Sequence, residues 1–201
     1  MLRRGKDRAS VLVDFDVDRS AVEAARRDPR AFEALYRKYV AQVYNFALYE
    51  LRDPHAAEDL TAQVFLRALG GLPGFREQAE APASSFRVWL FQICRYAVSN
   101  ERRRARRHPE ASLDLALEVP SADDVQAEAL DREQLARAWE HIDRLPTERR
   151  QALVLRFVEE MSTREIGEVL GRSEGATRVL IHRALQAVAR QIGRGSDAPR
   201  H

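Results

Sequence analysis

The chain has 201 residues, 45% hydrophobic and 32% charged, with a formal net charge of +2. That length suggests one or two domains with enough apolar material for a core, and no apolar run approaches the ~20 residues of a membrane helix. Cys94 is the single cysteine, which excludes an internal disulfide and a cysteine zinc site, and no apolar segment follows the basic stretch Met1–Lys6 as it would in a signal peptide. A cytoplasmic protein without membrane insertion is expected.

Residues 1–28 are expected to form a mobile tail ending in a short helix over Val22–Arg27. Asp28-Pro29 opens a helix, with aspartate as N-cap and proline at the first position. Phe32, Leu35, Tyr36, Tyr39, Val43, Phe46 and Ala47 then recur at helical spacing to about Leu51. Asp53-Pro54 repeats the signal, and Ala57, Leu60, Val64, Phe65, Ala68 and Leu69 line a second helix that ends at Gly70-Gly71. Pro73, Gly74 and Pro82 mark a loop. Ser84 or Ser85 starts a third helix with Phe86, Trp89, Leu90, Ile93, Cys94 and Ala97 inward. It runs on into Arg102, Arg103, Arg104, Arg106 and Arg107. A basic run of this kind holds phosphate electrostatically, or is simply a solvated helix end whose charges suit the dipole.

From Pro109 to Glu133 every charged side chain except Arg132 is an acid, and Pro109 and Pro120 interrupt it. This predicts a flexible acidic connector. A helix with Leu130, Leu135, Ala138, Trp139 and Ile142 follows and stops at Leu145-Pro146. Leu153, Val154, Phe157, Val158 and Met161 line the next. Ser162 and Glu165, three apart, form a capping box; Ile166, Val169 and Leu170 give one apolar face, and Gly171 offers the left-handed residue that ends the helix. Ser173 caps a last helix whose stripe is Thr177, Ile181, Ala184, Leu185, Val188 and Ile192. Two helices around a tight glycine-containing turn predict a helix-turn-helix, with Glu174, Arg178, His182 and Arg183 off the stripe and free to meet a DNA groove. No segment alternates as a strand does. The fold class is therefore all-α: two small helical bundles, 29–107 and 131–192, joined by the acidic linker 108–130, with tails at 1–28 and 193–201.

The segments A-F-E-A-L-Y-R-K-Y (31–39), A-E-D-L-T-A-Q-V-F-L-R-A-L (57–69), S-F-R-V-W-L-F-Q-I (85–93), L-P-T-E-R-R-Q-A-L (145–153) and S-T-R-E-I-G-E-V-L-G-R-S-E-G-A (162–176) occur in the order seen in sigma factors of the sigma-70 family. The chain resembles the short extracytoplasmic-function (ECF) type, with sigma domains 2 and 4 only. The resemblance implies that Asp59, Leu60, Gln63 and Phe65 dock on the β′ clamp helices of core RNA polymerase, with the β subunit as a further contact. The family usually has glutamine then an acid where this chain has Ala62 and Gln63. It implies that Phe75, Arg76, Arg95, Arg102, Arg103, Arg104, Arg106 and Arg107 meet the −10 promoter element. Tyr96 and Asn100 stand where the family often has asparagine and aspartate. It implies that Arg172, Ser173, Glu174, Arg178, Val179, His182 and Arg183 read the −35 element, Val179 and Leu180 replacing residues that are commonly serine and arginine.

An alternative sigma factor is thus expected, one that binds core polymerase and directs promoter-specific initiation. The partners implied are core RNA polymerase, promoter DNA and an anti-sigma factor. No cofactor, metal or catalytic group is expected. Two rivals remain at this point: a stand-alone helix-turn-helix transcriptional regulator, and an all-helical enzyme with a DNA-binding tail.

Overall fold

The computed structural model describes residues 18–76, 84–107 and 139–196, with side chains as far as Ile192. The acidic stretch 108–130 and the tail from 197 lie outside the described residues. The chain divides into two compact units, Met1–Asp114 and Leu115–His201. All regular structure among the described residues is helical.

The first unit begins earlier than the sequence suggests. Residues 18–27 form helix α1, and Val22 and Ala25 are buried in the unit. The tail assigned to 1–28 is corrected accordingly: from Asp18 onward the chain is built into the core. Asp28 caps with its carboxylate, accepting from the Arg30 amide at 3.0 Å. Proline follows, but the turn it opens, Pro29–Ala31, is 3-10 and passes into α2 at Phe32–Leu51. Arg52 at φ 59° terminates α2, donating its amide to the Leu48 carbonyl at 2.9 Å. Helix α3 spans Pro54–Gly71, and Asp53 accepts from the amides of His55 and Ala56 at 2.9 and 3.1 Å. A 3-10 turn, Leu72–Gly74, follows. Helix α4 spans Ser85–Arg107, and Ser84 is its cap, accepting from the Arg87 amide at 3.1 Å.

The core of this unit is aromatic. Phe32 meets Phe65 and Phe86 edge-on at 6.3 and 6.4 Å, and Phe46 meets Phe91 at 5.7 Å. Such pairs add about 0.5–1.5 kcal/mol beyond the area they bury. Cys94 is fully buried in the same unit. Trp89 and Ile93 are only half-buried, while Val88, Phe91 and Val98 take core positions the periodicity did not pick out.

In the second unit the described part of α5 is residues 139–143; the earlier apolar positions, Leu130 to Ala138, lie outside the described residues. Helix α6 spans Thr147–Phe157, α7 Thr163–Leu170 and α8 Glu174–Ser196. Leu145, Leu153, Ala184 and Val188 form one buried cluster, with Ile142, Ile181 and Ala187 packed against it. Met161 is buried as expected, but Phe157, also expected inside, is 59% exposed and Leu185 and Ile192 face out, while Ala152 and Leu155, which the periodicity did not pick out, are buried.

The capping box at α7 is complete: Ser162 Oγ accepts from the Glu165 amide at 3.2 Å and Glu165 Oε2 from the Ser162 amide at 2.8 Å. Gly171, at φ 69°, ends the helix in the left-handed conformation. The turn closes when the Arg172 amide donates to the Gly167 carbonyl at 2.8 Å. Gly167 has no room for a side chain: a Cβ there would stand 2.8 Å from the Arg172 carbonyl oxygen and 3.0 Å from Thr177 Oγ1.

Candidate nucleic-acid interface

Helix α8 separates its faces cleanly over its first half. Thr177, Ala184 and Val188 are buried, and Glu174, Arg178, Val179, His182 and Arg183 are exposed on the opposite arc. Ser173 Oγ accepts from the Ala176 amide at 3.3 Å, so this residue serves as the N-cap. Arg178 lies 2.8 Å from Glu174, one turn back. His182 Nε2 and Gln186 Nε2 are 3.0 Å apart. Arg172 pairs with Glu148 on α6, which ties the turn to the first turn of that helix. All seven residues predicted on this surface therefore lie together at the turn and the first three turns of one helix. Arginine on such an arc reads guanine or holds phosphate.

The basic end of α4 is more mixed. Arg103, Arg104, Arg106 and Arg107 are exposed. Arg104 lies 3.8 Å from Glu101, and Arg107 Nε donates to the Arg103 carbonyl at 3.3 Å. Arg102 points the other way. Its Nη1 lies 3.1 Å from the buried carboxylate of Glu50, so Arg102 is removed from the phosphate-facing set. Arg95 is half-buried and engaged within the chain. Tyr96 is 65% exposed and falls in phase with Arg103 and Arg107, an aromatic beside two cations. Aromatic faces of this kind stack on unpaired bases while cations track the backbone. Helical phase was the signal available for Tyr96 in the sequence.

Phe75 and Arg76 also part company. Arg76 is exposed, but Phe75 is only 7% exposed and packs on Trp89 at 4.9 Å and Phe86 at 5.9 Å. Its ring serves the core, which corrects its placement as a base-contacting residue.

Of the four residues predicted to dock on polymerase, Asp59 and Gln63 are exposed on α3, while Leu60 and Phe65 are buried. A helix cannot turn residues 59 and 60 to the same side. The apolar member of the exposed row is Leu66, 68% exposed and in phase with Asp59, Ala62 and Gln63. Tyr36, half-exposed on α2, packs edge-on against Phe65 at 4.8 Å and extends the patch.

Among the described residues no helix is long and apolar enough to cross a membrane. Two helical units, one with a helix-turn-helix and each with an exposed arginine-bearing helix face, define the architecture of an all-α nucleic-acid-binding protein. Comparison narrows the class. Residues 35–108 match sigma-70 region 2, and residues 135–188 match sigma-70 region 4. The chain is 32% identical over 175 residues to the ECF RNA polymerase sigma factor SigC of Mycobacterium tuberculosis, covering 87% of this chain and 90% of the relative. It is also 32% identical over 166 residues to the ECF RNA polymerase sigma factor BldN of Streptomyces coelicolor; this chain spans only 60% of that longer relative. In fold it is similar to CnrH, solved in complex with the cytosolic domain of CnrY, with a TM-score of 0.64 at 23% identity over 90% of this chain and 99% of that one. The sigma factor RpoE of Bartonella quintana, solved with the anti-sigma factor NepR, gives a TM-score of 0.58 at 20% identity over 81% of this chain and 96% of that one. The chain belongs to the ECF group of the sigma-70 family.

Proposed function

We propose that this chain is an alternative sigma factor that binds core RNA polymerase and directs promoter-specific initiation. The observation that carries the reading is the ordered pair of matched regions, each presenting an exposed face of the expected chemistry. Region 2 supplies the row Asp59, Gln63 and Leu66 on α3 for the β′ clamp helices, and Arg76, Tyr96, Arg103, Arg104, Arg106 and Arg107 for the −10 element. Region 4 supplies the α8 arc from Arg172 to Arg183 for the −35 element. The domain boundaries proposed are 18–107 and 131–192, with the acidic stretch between them lying in a basic channel built for RNA.

The chain performs no bond chemistry in this scheme; phosphodiester synthesis belongs to the polymerase. It acts in the cytoplasm, where the polymerase works. An anti-sigma factor covering the apolar and basic faces is its regulatory partner, by analogy with the RpoE and NepR pair. A stand-alone helix-turn-helix regulator would leave the α3 row without a use.

The reading is tested by measuring affinity for core RNA polymerase. Tight binding by the wild-type chain, weakened by Leu66→Asp with the fold retained, is the expected result. No affinity for core enzyme would overturn the reading.

A further inference from the structure

Helix α1 grips the first unit at two places that adjoin the proposed −10 surface. At its start, Asp18 is fully buried. Its carboxylate accepts hydrogen bonds from Tyr39 Oη on α2 and from Ser84 Oγ, and lies 2.8 Å from Lys38 Nζ. Ser84 is the cap of α4, so Asp18 fixes where that helix begins. Near the other end of α1, Arg26 donates from Nε to the Leu72 carbonyl at 3.3 Å and from Nη2 to the Phe75 carbonyl. The same guanidinium lies 5.7 Å from the centre of the Phe75 ring. One short helix, placed before the region 2 match at 35–108, thus holds both the backbone that leaves α3 and the first turn of α4.

These contacts have a consequence for strand opening. Taking a base out of its stack is uphill. If the protein must also order the surface that receives the base, that cost adds to the same step; a surface ordered beforehand removes it. We propose that Asp18 and Arg26 are positioning residues for promoter opening, fixing Arg76 and the first turn of α4 relative to each other before DNA arrives. The inference rests on the sigma-factor reading. Neither residue is assigned a contact with DNA or polymerase: Asp18 is sealed inside the unit, and both guanidinium nitrogens that bond from Arg26 are spent on carbonyls of its own chain.

The experiment uses holoenzyme assembled from core polymerase and the full-length chain, on a promoter mapped for the wild type. Open-complex formation is followed by the yield of heparin-resistant holoenzyme–promoter complexes with time, on the duplex promoter and on the same promoter mismatched across its −10 box. Arg26→Ala and Asp18→Asn are expected to slow opening of the duplex on the order of tenfold, the scale of re-ordering about one residue's backbone. The deficit is expected to persist on the mismatched template, where the bases are already unpaired but the receiving surface must still be ordered; affinity for core is expected to stay at the wild-type value, and Arg26→Lys is expected to recover part of the loss. Arg26 is exposed, so its substitution keeps the test informative if Asp18→Asn folds poorly. A deficit that disappears on the mismatched template, or undiminished opening of the duplex, would overturn the inference while leaving the sigma-factor reading intact. Failure of the wild-type chain on both templates would overturn the reading itself, and this inference with it.

Discussion

The guanidinium of Arg102 closes on Glu50, its Nη1 3.1 Å from a carboxylate with no solvent exposure, and it also donates to the Glu50 carbonyl. This pairing binds the far end of α4 to the last turn of α2 and sets Arg102 apart from the exposed arginines of the run. Removing Arg102 strands a buried carboxylate, which costs about 3 kcal/mol, the low end for such pairs because Arg102 remains one-quarter exposed. Arg102→Ala is expected to lower the unfolding free energy by that amount. Arg104→Ala and Arg107→Ala are expected to leave stability unchanged and to reduce the salt dependence of DNA binding by about one unit of slope for each phosphate no longer neutralised. Denaturation curves and salt titrations on the three variants check this.

Phe65 is buried, whereas its neighbour Leu66 is exposed. Phe65→Ala is expected to cost ~3–5 kcal/mol, as for a buried aromatic. Leu66→Asp is expected to leave the thermal midpoint in place and weaken core binding, since its side chain is 68% exposed beside Asp59 and Gln63. Calorimetry and a core-binding assay on the same preparations separate the two.

On α8, Arg178→Ala with Arg183→Ala is expected to weaken −35 binding while core affinity holds. Gly167→Ala acts differently, because the new methyl meets a backbone carbonyl at 2.8 Å. It is expected to destabilise the second unit by about 1–3 kcal/mol, the scale of overpacking. Equal loss of −35 and core binding in the double arginine variant would mean that α8 is structural.

Burial first, and then the Asp18 carboxylate beside it, push the Tyr39 phenol far above its ordinary value. A group raised in the folded state contributes stability that is fully present below its unfolded value, near pH 10, and is lost as pH rises beyond it. The stability difference between the wild type and Tyr39→Phe is therefore expected to be constant from neutral pH to about pH 9 and to shrink above pH 10. Urea titrations at several pH values read this directly; a difference that grows above pH 10 contradicts it.

Local signals were legible in the sequence and distant ones were not. The Ser162–Glu165 capping box and the Asp53-Pro54 start are written within four residues, and both form as expected. The outward arc of α8 follows from helical phase alone. Phase also bears on α3, where it excludes grouping Asp59 with Leu60 and points to Leu66 instead. What could not be read were partners far apart in the chain. Nothing near Arg102 marks it as the arginine that turns inward, because Glu50 lies 52 positions away. Asp18 looks like part of an aperiodic tail until it is set beside Ser84, 66 positions on.

The central claim is most directly tested by run-off transcription with core RNA polymerase and fragments of the chain's own genome, with and without the purified protein. The account predicts discrete transcripts that appear only when the chain is added. Transcription unchanged by the chain, together with sequence-specific duplex binding by the chain alone, would contradict it.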